Sequence, residues 1–227
     1  MAIVYTTRVN TNKDTAATAT LTCQLNNVAA GSFLVVGCCW TRNDRTITSV
    51  VDDIDGAYTA AVTRFHASAN PSGLIYFLNG VTGGNPTVTI TLSGTAKGTT
   101  CLAEFTGVDT SGGEDNTQSN EHTTPGATID PTDITPVAND CLIISASCTA
   151  AITQIGSAGT LISDVVATQY LGLQYEILSG GASVAQNTEF SESTVNWVGL
   201  AATFEPTVAG GISIPKAMHH YKQMRQI

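Results

Sequence analysis

Apolar and β-branched runs alternate along this chain with clusters of Gly, Asn, Asp, Pro and Ser. That alternation predicts strands joined by turns. The predicted strands are 3–9, 18–24, 32–40, 46–51, 57–65, 73–79, 86–92, 99–106, 126–130, 140–148, 158–165, 169–177, 187–191 and 195–204. They are of two kinds. FLVVGCCW and CLIISASC are continuous apolar runs, as expected of central strands covered on both faces. TVTITL alternates, as expected of a strand with one face in the core. VDDIDGAY, NGVTGGNP, LSGTAKG and LSGGAS read as turns. The stretch 107–125, GVDTSGGEDNTQSNEHTTP, reads as a surface loop or a crossover. No segment of the body shows a helical period.

The two halves echo each other. GSFLVVGCCW (31–40) matches NDCLIISASC (139–148): a turn, then an unbroken apolar run. TTCLAEFTGVD (99–109) matches WVGLAATFEPT (197–207): a strand with Phe105 or Phe204 near its end, then a turn. Two similar strand sets joined by a long crossover predict an all-β, two-sheet jelly-roll or Greek-key sandwich over residues 1–205. Residues 206–227 differ. PTVAGGISIP reads as a linker, and Pro215 suits the first position of a helix. Ala217, Met218, Tyr221, Met224 and Arg225 then share one face, with Ile227 close by. This predicts a short C-terminal arm that gains order by docking.

Charge sharpens the division. Residues 1–205 carry 6 basic and 18 acidic side chains, whereas the last 22 residues carry three basic ones and no acid. An acidic body without a basic stripe argues against nucleic acid as partner. No apolar run is long enough for a membrane-spanning helix. The N-terminus MAIVYTTRVN lacks the layout of a signal peptide. The six cysteines lie mostly in apolar runs and contain no CxxC pair, so reduced core thiols are expected rather than a disulfide framework or zinc site. No cofactor motif is present.

FLVVGCCWTRNDRTITSVVDDIDGAYT (33–59), LIYFLNGVTGGNPTVTITLSG (74–94), LAEFTGVDT (102–110) and WVGLAATFEP (197–206) together bring in a resemblance. The order is an apolar strand ending in Trp, a short gap, ITSV.D..G..YT, then another strand. It resembles a jelly-roll β-sandwich module of bacteriophage structural proteins and of secreted or environmental multidomain proteins, over about residues 18–206. The ending HHYKQMR is similar to the ends of tailed-phage virion proteins. A chain that starts at its own Met fits the phage side of that resemblance. The resemblance implies a non-enzymatic virion protein, assembled in the host cytoplasm. Capsid decoration or cement is the expected role, or else a head or tail accessory role. Its expected partners are copies of itself, a trimer being favoured, and other virion proteins such as the major capsid protein. The arm residues expected to dock are Lys216, Met218, His219, His220, Tyr221, Lys222, Met224, Arg225 and Ile227. The alternative is a carbohydrate-binding adhesion module, with Trp40, Tyr58, Tyr76, Tyr170, Tyr175 and Trp197 as stacking candidates.

Other residues nominate themselves for chemistry. Asp52, Asp53 and Asp55 before Gly56 form a weak calcium candidate, against which stands the ordinary use of Asp-Gly in hairpin turns. Glu104 and Glu176 are candidates for a glycosidase acid pair, and otherwise solvated or locally paired strand residues. His66, just past a strand end, and His122, in the long loop, are expected at the surface. No GxSxG elbow accompanies them.

Overall fold

The computed structural model describes residues 2–67, 71–122, 128–149, 159–165, 170–180 and 196–207. The predicted strand 187–191 and the C-terminal arm lie outside them. All elements are strands: β1 (Val4–Gln24), β2 (Phe33–Trp40), β3 (Ile47–Asp52), β4 (Thr59–Phe65), β5 (Ser72–Leu78), β6 (Thr87–Thr106), β7 (Asn116–His122), β8 (Leu142–Thr149), β9 (Thr160–Val165), β10 (Tyr170–Ile177) and β11 (Trp197–Phe204). They form two antiparallel sheets. One runs β1-β6-β2-β5-β4 with β3 also on β6, and the other runs β7-β11-β8-β10-β9.

The unbroken apolar runs occupy the positions that need them. Every residue of β2, β8 and β11 is buried. Successive side chains point to opposite faces. From β2, Phe33, Val35 and Cys39 enter the core between the sheets, where they meet Leu142, Ile144, Cys148, Leu200 and Phe204 of the other sheet. Leu34, Val36, Cys38 and Trp40 point the other way, into a second core. β1 and β6 supply its cover. They pair along nearly their whole length, and with β3 their far halves fold over the outer face of β2 and β5. Leu21, Cys23, Val50, Val88 and Ile90 close that core. Among the described residues, the first half thus contributes two layers and the second half one.

Two predicted turns or breaks are in fact continuous strand. Predicted strands 3–9 and 18–24 are one element, β1, and LSGTAKG lies inside β6. The ribbon bends at register shifts between Asp14 and Thr20, opposite Ala96 and Gly98. Gly98 is required there, because a Cβ would stand 2.5 Å from Leu21 Cδ1 and 2.9 Å from the Cys39 carbonyl oxygen. The predicted loop 107–125 contains strand β7, which pairs with β11 at the sheet edge. Its sequence NTQSNEH is polar throughout, so no apolar period marks it. Of predicted strand 126–130, the described part forms no named strand, although Ile129 is buried.

The β-sandwich is present, but its wiring among the described strands is not the sheet-to-sheet alternation of a jelly roll. Each sheet is drawn from one half of the chain, and only the β6–β7 connection passes between them. With β3 set aside, the two strand orders correspond one for one. The registers correspond too: Phe33 opposes Phe105 in one sheet, and Leu142 opposes Phe204 in the other. The halves therefore face each other about a pseudo-two-fold axis. Near it, Thr207 N–H donates to the Gly107 carbonyl at 2.7 Å, and Val108 bridges Pro206. These two pairings exchange under the correspondence that maps Phe105 onto Phe204.

Candidate functional site

Among the described residues, a partly buried charged cluster lies where the end of β4 in one sheet meets β7 in the other. Glu121, on β7, reaches across the seam with both carboxylate oxygens. Its Oε1 accepts from Arg64 Nη2 at 3.0 Å, and its Oε2 accepts from the Ala67 N–H at 2.6 Å. His66 stands beside it with Nδ1 3.8 Å from Oε2. The Nε2 of His66 is 3.0 Å from the His122 carbonyl oxygen, an acceptor, so this nitrogen carries the proton and donates. The His122 ring stacks on Trp197 at 5.7 Å.

This arrangement corrects two expectations. His66 is not at the surface, since its side chain is 0% exposed. His122 is in β7 rather than in a loop. A histidine beside a carboxylate could be part of a triad. Here Nε2, the nitrogen that would face a nucleophile, is occupied by a main-chain carbonyl in a closed site. The cluster joins the two sheets, with His66 buried and Arg64 partly exposed. Arg64 and Glu121 are 57 residues apart. No short-range spacing advertises the pair, and the lone acid in a polar edge strand was its only trace in the sequence.

The two glutamates nominated as an acid pair are not brought together. Glu104 neighbours Ala103 and Phe105, which point into the inter-sheet core, so its own side chain points away from the second sheet. Glu176 neighbours Tyr175, which packs on the same core from the other side. The sandwich therefore stands between the two carboxyl groups. Glu104 is fully buried rather than solvated. Its Oε1 accepts from the Ala29 N–H at 2.8 Å and the Ser32 hydroxyl at 2.6 Å, and its Oε2 accepts from the Thr6 hydroxyl at 2.9 Å. The carboxylate pins β1 and the β1–β2 turn onto β6.

The three aspartates of DDIDG also serve the backbone. Asp52 Oδ1 accepts from the N–H groups of Ile54 and Gly56 at 2.9 and 3.1 Å, and from that of Asp55. Asp53 accepts from the Thr87 N–H at 2.8 Å, and Asp55 from the N–H and hydroxyl of Thr82. The three side chains diverge to three segments. Among the described residues, no group of three His, Cys, Asp or Glu side chains is placed to hold a metal ion. Tyr58 faces Asp52 without completing a hydrogen bond. Burial, reinforced by these carboxylates, pushes its phenol far above the ordinary value.

The aromatic candidates are largely consumed by packing. Trp40, Trp197 and Tyr58 are buried. Tyr175 lies against Tyr5 and Phe105, at 4.8 and 5.5 Å between ring centroids. Tyr76 is half-buried and packs on the second core. The side chain of Tyr170 and the docking candidates Lys216, Met218, His219, His220, Tyr221, Lys222, Met224, Arg225 and Ile227 lie outside the described residues. All six cysteines are buried thiols, none of them in a disulfide. Compared with known protein families, curated proteins and solved structures, the chain shows no match.

Proposed function

We propose that this is a non-enzymatic structural protein of a phage virion, a capsid decoration or head or tail accessory protein that docks through its C-terminal arm. The observation that carries the reading is the use made of the body's titratable groups. Glu104, Glu121, His66 and the aspartates 52, 53 and 55 each bind the fold to itself. A body so committed suits a rigid building block. The acidic body and the acid-free arm supply the second element, because opposite charges draw the arm onto the body of a neighbouring copy or onto an acidic scaffold. Closed trimers suit a particle surface.

The test is sedimentation of the full chain beside a version ending at Val208, in low and in high salt. The reading expects trimers of the full chain that dissociate on truncation or in high salt. If both proteins sediment as monomers under every condition, 23.5 kDa for the full chain and correspondingly less for the truncated one, self-assembly through the arm is wrong.

A further inference from the structure

The correspondence that maps Phe33 onto Leu142 maps Cys39 of β2 onto Cys148 of β8. Equivalent residues near a two-fold axis meet each other, and these two do. Both are fully buried in the inter-sheet core, one from each sheet. Cys148 Sγ lies 3.8 Å from the Cys38 carbonyl oxygen, on the peptide that leads into Cys39. The register partner of Cys39 is Gly73, and a Cβ there would stand 2.5 Å from Cys148 Sγ. The thiol of the second sheet thus occupies the place of the missing side chain on the first. The sheets approach closely enough at this point for one cysteine to reach across.

We propose that Cys39 and Cys148 are a latent inter-sheet disulfide, closed when the chain folds in the presence of a disulfide oxidant such as oxidised glutathione and left as two thiols in a reducing compartment. Cys39 as thiolate attacks one sulfur of oxidised glutathione and releases one glutathione. Cys148 as thiolate then displaces the second, forming the Sγ–Sγ bond. Two protein thiols are oxidised, one oxidised glutathione is reduced to two glutathiones, and the two protons end on those products. Once folded, the pair is closed to exchange. Burial, and then the neighbouring Cys148, push the Cys39 thiol well above its ordinary value, and neither sulfur is exposed. The redox state is therefore set during folding and retained. Cys38 differs although it is adjacent, because it points into the second core.

The test refolds the full chain from denaturant with oxidised and reduced glutathione, and in parallel with excess reductant. Unreduced peptides are then mapped by mass spectrometry. The expected result is a Cys39–Cys148 link with four free thiols, and a melting temperature roughly 5–10 °C above that of the reduced protein, as for a link closing a long loop in a chain of this size. Cys148→Ala should lose both the link and the difference between buffers. The proposal is overturned if the oxidised wild type folds with six free thiols, if another pair dominates the map, or if the linked form melts lower. The wild-type map decides even if the variant fails to fold.

Discussion

The two sheets share a strand order and a register but wear different coats. β2 reads FLVVGCCW and β8 reads LIISASCT. At positions facing the shared core the pairs are Phe33 with Leu142, Val35 with Ile144, Gly37 with Ala146 and Cys39 with Cys148. At positions facing outward they are Leu34 with Ile143, Val36 with Ser145, Cys38 with Ser147 and Trp40 with Thr149. The inner set keeps its apolar character and nearly its size, because both strands fill the same space. The outer set diverges. The first sheet is covered by the apolar flap of β1, β3 and β6, and its outward residues are apolar. The second has outward Ser145, Ser147, Thr149, Gln174 and Thr203, all buried. One face of a repeated sheet is fixed by its twin, and the other by whatever lies over it.

The largest expected effect tests the shared core. Phe204 packs 4.8 Å from Phe33 and 5.1 Å from Phe77, and its counterpart Phe105 packs against Tyr5 and Tyr175. Phe204→Ala and Phe105→Ala should each cost about 3–5 kcal/mol in urea unfolding. A cost near zero for either one would break the correspondence. The same mapping pairs Glu104 with Thr203, both fully buried. Thr203 anchors β7 by accepting from the Asn116 N–H at 3.0 Å and donating to Asp115 at 3.2 Å. Glu104→Leu strands the Ala29 N–H and the Ser32 hydroxyl, while the Thr6 hydroxyl keeps the Glu104 carbonyl at 3.1 Å, and should cost about 3 kcal/mol, whereas Thr203→Val should cost about 1 kcal/mol. Equal costs would mean that the two positions do not differ in how many segments they hold.

Smaller effects come from titration. Burial pushes Cys23, in the flap, and Cys141, just before β8, each up to about 11 from an ordinary 9.0. A thiol with a raised value keeps its proton longer when folded than when unfolded. The stability it contributes is full below pH 9 and is lost as pH rises to 11. Urea midpoints should fall across that window, and Cys23→Ala and Cys141→Ala should each flatten the fall. A midpoint constant from pH 8 to 11 would contradict this. The smallest effect belongs to Asp44, held down to about 2 by its hydrogen bond to Arg42 at the surface. The stability it contributes is present above pH 4 and lost as pH falls toward 2. Asp44→Asn should lower the melting temperature slightly at pH 7 and not at all near pH 2, because the pair is fully exposed to solvent and the carboxylate's contribution is gone once it is protonated.

Much of the fold was legible because core strands advertise themselves. The apolar runs 32–40, 140–148 and 195–204 differ from β2, β8 and β11 by at most two residues at either end. The internal echo was visible at just the positions that the shared core constrains. What stayed hidden depends on neighbours far along the chain. β7 is polar because an edge strand meets less of the core. LSGTAKG looks like a turn, yet its glycines serve a bend in a ribbon whose partner strand lies some 80 residues earlier. The site residues read worse than the strands. Glu104 and His66 carry no mark of burial, since burial follows from Thr6, Ser32 and Glu121 arriving from other segments.

The most direct test of the account is native-state hydrogen exchange, read strand by strand. If the two halves are one body with a shared core, the central amides of β2 and β8 will exchange only through global unfolding, with the same free energy and the same dependence on urea. If β8 exchanges through a separate opening while β2 remains protected, the sheets are independent units and the pseudo-symmetric core is not what holds this protein together.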